Sequence, residues 1–282
     1  MDEHFTPLTY AAGIGDAATV ADLLVGGADV DEPMTDGLSL TPLLIASRMG
    51  HDNVVRLLLE HGTSINLALG PSLFVAGPTP LFMASGEGHA AVARLLLERG
   101  AAVDQGGHEG VTPLIVACLR GHLEVVQLLS CHGASLTFPD GVPAERMADF
   151  LGHADMAAWL TTSRHWSTPL HHLTVISTAR TRGPLRDGAD LLASHEGGPT
   201  PLSLAQGMLA AGTAVNGSVV HLVLCAARPW SPATHELFPA EARERACRIM
   251  RVLTLVAWKY LRPGMAGVDF LGLILPFDVL RG

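Results

Sequence analysis

The chain has 282 residues, 48% of them apolar, and a formal charge of −9 from 18 basic and 27 acidic side chains. That balance argues against a nucleic-acid duplex as partner, because phosphate binding needs a basic stripe. No apolar run reaches the roughly 18 to 20 residues that span a bilayer, and the opening MDEHFTPL has no secretory signal. The expectation is an intracellular protein, cytoplasmic or nuclear, that does not enter a membrane.

Taken in chain order, the first 140 residues repeat one pattern four times. TPLTYAAGIGDAATVADLLVGGADV begins at Thr6, TPLLIASRMGHDNVVRLLLEHGTSI at Thr41, TPLFMASGEGHAAVARLLLERGAAV at Thr79 and TPLIVACLRGHLEVVQLLSCHGASL at Thr112, with starts 35, 38 and 33 residues apart. Each Thr serves as an N-cap and each following Pro as the first helical residue, since Pro lacks the amide that would go unpaired there. A short inner helix therefore opens at every TPL and ends at Gly15, Gly50, Gly88 or Gly121. A second, outer helix follows at once. Its apolar residues, such as Val54, Val55, Leu58 and Leu59, recur at three- and four-residue steps. Gly27, Gly62, Gly100 and Gly133 end it, and a turn-rich finger leads to the next TPL. Units of this length stack, because none can bury its apolar face alone.

These segments resemble ankyrin repeats, whose pattern runs G-x-T-P-L-H-x-A-A-x-x-G-H and then L-L-x-x-G-A-D. Weaker copies follow by phase. GVPAERMADFLGHADMAAWL from Gly141 keeps the Gly152-His153 pair but replaces Thr-Pro with Pro143-Ala144; TPLHHL from Thr168 opens a sixth unit and TPLSLAQ from Thr200 a seventh. The predicted fold is an all-α ankyrin solenoid over 1–227, with repeats near 6–37, 41–75, 79–108, 112–139, 141–165, 168–196 and 200–227. A helical cap or tail is expected over 228–282. In the sixth unit Gly183-Pro184 falls inside the outer helix, where Pro costs about 3 kcal/mol, so that helix is expected to be shortened or broken. The sixth unit also starts early, which predicts a bend near 161–168.

Catalytic and metal chemistry find little support. Cys118, Cys131, Cys225 and Cys247 show no CxxC spacing and no finger-like pairing with histidine, so they read as small buried hydrophobes. His51, His89, His122 and His153 share the Gly-His position, and His61 and His132 share the position before the second terminal glycine, where a helix dipole suits a partly cationic ring. His171, His172, His221 and His235 lie outside both sets; the resemblance places His171 at the loop-bridging histidine of TPLH. No nucleophile triad, phosphate loop or paired-carboxylate motif stands out, so no enzyme, cofactor or metal is expected. The basic run from Arg243 to Arg262 reads as a solvated helix face.

The resemblance implies binding through the concave face. Carried over by position, its partner-contacting residues are Ile14, Arg48, Met49, Glu87, Leu119, Arg120, Phe150 and Leu151 on the inner helices. On the fingers they are Leu40, His108, Glu109, Val111 and Asp140. The second finger, NLALGPSLFVAGP from Asn66, adds Leu73 and Phe74, because exposed apolar clusters mark contact sites. The reading is a monomeric, non-enzymatic scaffold or adaptor for another protein.

The tail does not continue the repeat. Trp230, Pro232, Phe238 and Pro239 mark an extended link, and 240–261 has the pattern of a long amphipathic helix able to cap the stack. The closing LPFDVL, residues 275–280, faintly resembles the opening of F-box helices and the LP turn of SOCS boxes, as Cys247-Arg248 resembles the SOCS cysteine-arginine step. Such modules would make the chain a substrate receptor of a cullin-type ubiquitin ligase. Lys259, the single lysine beside 17 arginines, is compatible with that alternative.

Overall fold

The computed structural model describes residues 5–35, 40–68, 77–107, 110–139, 141–164, 166, 168–194, 197–213, 218–227, 237–238, 240 and 243–244. Thirteen α-helices are present among the described residues, and extended pairing is confined to one bridge between Thr137 and Pro143. The chain divides into two compact units, Met1–Arg164 and His165–Gly282. None of the described helices is long and apolar enough to cross a membrane.

The first unit is five helix pairs in series. The inner helices are α1 (Pro7–Ile14), α3 (Pro42–Met49), α5 (Pro80–Glu87), α7 (Pro113–Leu119) and α9 (Ala144–Phe150). The outer ones are α2 (Ala17–Val25), α4 (Asp52–Glu60), α6 (Ala90–Glu98), α8 (Leu123–Cys131) and α10 (Ala154–Ser163). Thr6, Thr41, Thr79 and Thr112 cap the first four inner helices as expected, each side chain accepting the amide three residues on at 3.2 to 3.3 Å. In the fifth pair Pro143 takes the cap position and offers no side-chain bond.

Successive inner helices lie side by side, α1 on α3, α3 on α5, α5 on α7 and α7 on α9. The outer helices from α2 to α8 do the same. Burial follows the apolar stripe. On α4, Val54, Val55 and Leu58 are buried while Arg56 and Glu60 face out, and Leu58 and Leu96 of adjacent outer helices are both fully buried.

Two ladders tie neighbouring pairs together. His51 donates through Nε2 to the Gly13 carbonyl, His89 to that of Arg48 and His122 to that of Gly86, each at 3.0 Å. On the fingers, Asp31 accepts from the Ser64 amide at 3.1 Å and from the Thr63 hydroxyl. At the equivalent positions Asn66 accepts from Ala102 at 2.9 Å and Asp104 from Ser135 at 3.1 Å. In the second, third and fourth pairs the helix turn and the finger thus bond directly to the pair before.

The second unit departs from this plan, and differently from expectation. Its first inner helix is reduced to a single 3-10 turn, Pro169–His171, whereas the outer helix α11 (Thr178–Arg186) keeps all 9 residues with Pro184 inside it. Pro184 is tolerated because it sits in the last turn, where its missing amide forgoes one bond, to the Arg180 carbonyl. The Gly183 and Pro184 carbonyls still accept from Asp187 and Ala189, at 3.0 and 2.9 Å. The shortening falls on the inner helix instead, where the β-branched run Thr174-Val175-Ile176 disfavours continuation. Helices α12 (Pro201–Ala210) and α13 (Val219–Ala226) pack as a further pair. Thr200 and Ser203 form a reciprocal capping box on α12, with bonds of 2.9 and 3.0 Å.

His171 takes the bridging position that the TPLH resemblance implies. It is buried, accepts the Thr168 amide at Nδ1 (3.3 Å) and donates from Nε2 to the Pro199 carbonyl (3.2 Å). Trp166 packs edge-on against the neighbouring His172 at 4.8 Å. Beyond residue 227 the description reaches only five residues, of which Leu237 and Phe238 are buried. Phe238, expected in a link, is therefore anchored. Of the long amphipathic helix expected over 240–261, only Ala240, Arg243 and Glu244 are described, and they are helical; the remainder, the basic run beyond Glu244 and the LPFDVL segment lie outside the described residues.

Candidate protein-binding surface

The end of each inner helix in the first unit is set by geometry at one glycine. Gly50 adopts φ +80°, and a Cβ there would also meet the His89 ring at 2.6 Å. Gly88 repeats this against His122 at the same distance. A left-handed backbone and a ring stacked on the turn both demand glycine. Because the chain reverses there, the side chains one and two residues earlier project beyond the helix end.

Those two positions hold eight of the sequence-selected residues, and the structure brings them into one row. Ile14 ends α1, Arg48 and Met49 end α3, Glu87 ends α5, Leu119 and Arg120 close α7, and Phe150 and Leu151 close α9. All eight are exposed, with Phe150 at 84%, Ile14 at 57% and Met49 at 53%. In the middle, Arg120 reaches Glu87 of the preceding unit at 3.1 Å. At that exposure the pair contributes about 0 to 1 kcal/mol; its effect is to hold both charges in register with the row.

The finger residues do not join this row uniformly. Leu40 and Val111 are half-buried, and their carbonyls accept from Met34 (2.9 Å) and Gly107 (3.0 Å) to close the first and third fingers. Leu73, Phe74, His108, Glu109 and Asp140 lie outside the described residues, as does the second finger from 69 to 76. Of that finger's apolar cluster, Leu67 is described and is exposed.

Two features escaped sequence reasoning. Phe5 and Tyr10 form an exposed edge-to-face pair, centroids 6.2 Å apart, beside Ile14's helix. Tyr10 occupies the inner-helix position where Ile45, Met83 and Val116 stand in later units, and that aromatic substitution was the available signal. On α13, His221 Nε2 lies 3.4 Å from Cys225 Sγ. Their four-residue spacing places both on one helical face, so Cys225 does pair with a histidine. Cys118 and Cys131 are buried as expected, and burial pushes the Cys118 thiol up to about 12.

Five described histidines of the first unit have structural duties. Besides the ladder, His61 and His132 bond through Nδ1 to the carbonyls of Leu57 and Leu128, each at 2.9 Å, capping their own outer helices.

In comparison with known families, the model described as ankyrin repeats (3 copies) matches residues 1–68 and again 70–140. Over that segment the chain is similar to ankyrin repeats, and the described helix pairs stack as an all-α repeat solenoid. Ankyrin repeats are generally protein-protein interaction modules. No curated protein matches the chain significantly.

Proposed function

We propose that this chain is a non-enzymatic, monomeric scaffold of the cytoplasm or nucleus that binds one protein partner through the row of inner-helix ends. The observation that carries the reading is the composition of that row: Ile14, Met49, Leu119 and Phe150 are exposed in register on a folded, stacked scaffold. Met, Phe and Arg are enriched at interface cores, and contiguous exposed apolar residues mark contact surfaces. The partner presents apolar side chains to Met49 and to Leu119 with Phe150, and an acidic group to the exposed Arg48. The fifth, sixth and seventh units extend the repeat count to about seven under this reading, with the later ones degenerate.

A photo-crosslinking amino acid at position 49 or 150 tests this, compared with one at the exposed outer-helix position 56. Specific adducts at 49 and 150 with one protein, absent at 56, support the proposal. Adducts concentrated at 56 would place binding on the outer helices.

A further inference from the structure

We propose that Cys225 is a site of oxidative thiol modification, activated by His221. Helix α13 buries Val219, Val220, Leu222, Val223 and Ala226, which leaves His221 and Cys225 half-exposed on the remaining face. The Ser218 hydroxyl accepts the His221 amide at 3.3 Å and fixes the first turn, so the imidazole lies over the thiol one turn on, with Nε2 3.4 Å from Sγ. Neither Cys118 nor Cys131 offers comparable access, since both are buried. The pair thus combines a nucleophile, a base within reach of its proton, and solvent access.

The class of reactant is a hydroperoxide. The step starts from the thiol and a neutral imidazole whose Nε2 accepts the proton. As sulfur attacks the terminal peroxide oxygen, the thiol proton passes to His221 Nε2, an S–O bond forms and the O–O bond breaks. Sulfur is oxidised by two electrons to the sulfenic acid, and the peroxide is reduced. The leaving hydroxide or alkoxide takes the proton back from His221 and departs as water or alcohol. The sulfenic acid then condenses with a low-molecular-weight thiol, forming a mixed disulfide and water.

The test uses the intact 282-residue chain, hydrogen peroxide and dimedone as the sulfenic-acid trap, with peptide mass mapping to separate Cys225 from Cys247. Dimedone adducts are expected first at Cys225, with His221→Gln lowering their rate at least about tenfold at unchanged circular dichroism. Because that variant could unfold α13, a second measurement compares iodoacetamide alkylation of the unsubstituted Cys225 with that of free cysteine at the same pH. Cys225 should react at least about tenfold faster. Trapping at Cys247 with Cys225 untouched, a His221→Gln protein that reacts as fast as the original, or alkylation of Cys225 no faster than that of free cysteine would each overturn the proposal.

Discussion

At Ser47 and Ser85, equivalent residues of α3 and α5, a hydroxyl is buried with no hydrogen-bond partner, whereas α1 has Ala12 in that place. An unsatisfied buried hydroxyl costs about 1 to 3 kcal/mol. Ser47→Ala or Ser85→Ala should therefore stabilise the first unit, seen as a higher midpoint in urea; a lower midpoint would mean that the hydroxyls have partners. Nothing in the residue pattern signals this, because serine next to an inner-helix alanine looks like any other small residue. The Gly-His pair was more legible. Its recurrence at 50-51, 88-89 and 121-122 marked a shared turn, but what the ring does, stacking on the preceding repeat's turn glycine and donating to the carbonyl two residues before that glycine, depends on how repeats are spaced and so is visible only in three dimensions.

Among elements, the outer helices behaved as their periodicity demanded, and Leu58 and Leu96 carry that packing. Either leucine changed to Ala should cost about 2 to 5 kcal/mol, measured by urea denaturation, and a cost below about 0.5 kcal/mol would contradict stacking through these helices. The element least legible was the sixth unit. Pro184 stands out as the breaker, yet a proline in a helix's last turn loses one bond, whereas the inner helix ends at His171, just before the β-branched run Thr174-Val175-Ile176. His171 is the last residue of this very short element, its ring closing the capping box with Thr168. Burial, acting against the bonds to Thr168 and Pro199, holds its pKa below the ordinary 6.5. A folded-state value below the unfolded one means that the unfolded chain binds more protons in the interval between them. The stability His171 supplies is therefore complete above about 6.5 and is lost as pH falls toward its folded value. Hydrogen exchange in residues 168–194 should rise over that interval as pH is lowered, after correction for intrinsic rates, and His171→Gln should remove the rise. A pH-independent protection pattern would show that the ring is not the titrating group.

At the scale of the whole molecule, the fold class and the first four repeats were fully written in the sequence, since TPL caps, terminal glycines and leucine pairs are local signals repeated four times. Eight inner-helix end positions could also be placed by phase alone, and the structure shows all eight exposed there. What phase could not supply was the state of the fingers: Leu40 and Val111 close theirs through backbone carbonyls, a role invisible in side-chain identity. The central claim is that protein recognition belongs to the inner-helix row. Its most direct measurement is partner capture by the intact chain, a row variant carrying Met49→Ser, Leu119→Ser and Phe150→Ser, and an outer-face control carrying Arg56→Ser and Glu98→Ser. Exposed substitutions of this kind typically change stability by no more than about 0.5 kcal/mol, so all three proteins should unfold at nearly the same midpoint. The row variant should lose the partner recovered by the intact chain, with affinity reduced at least about tenfold as expected for truncating interface hot spots, while the control retains it. Full capture by a row variant of unchanged stability, with loss in the control, would place recognition on the outer helices instead.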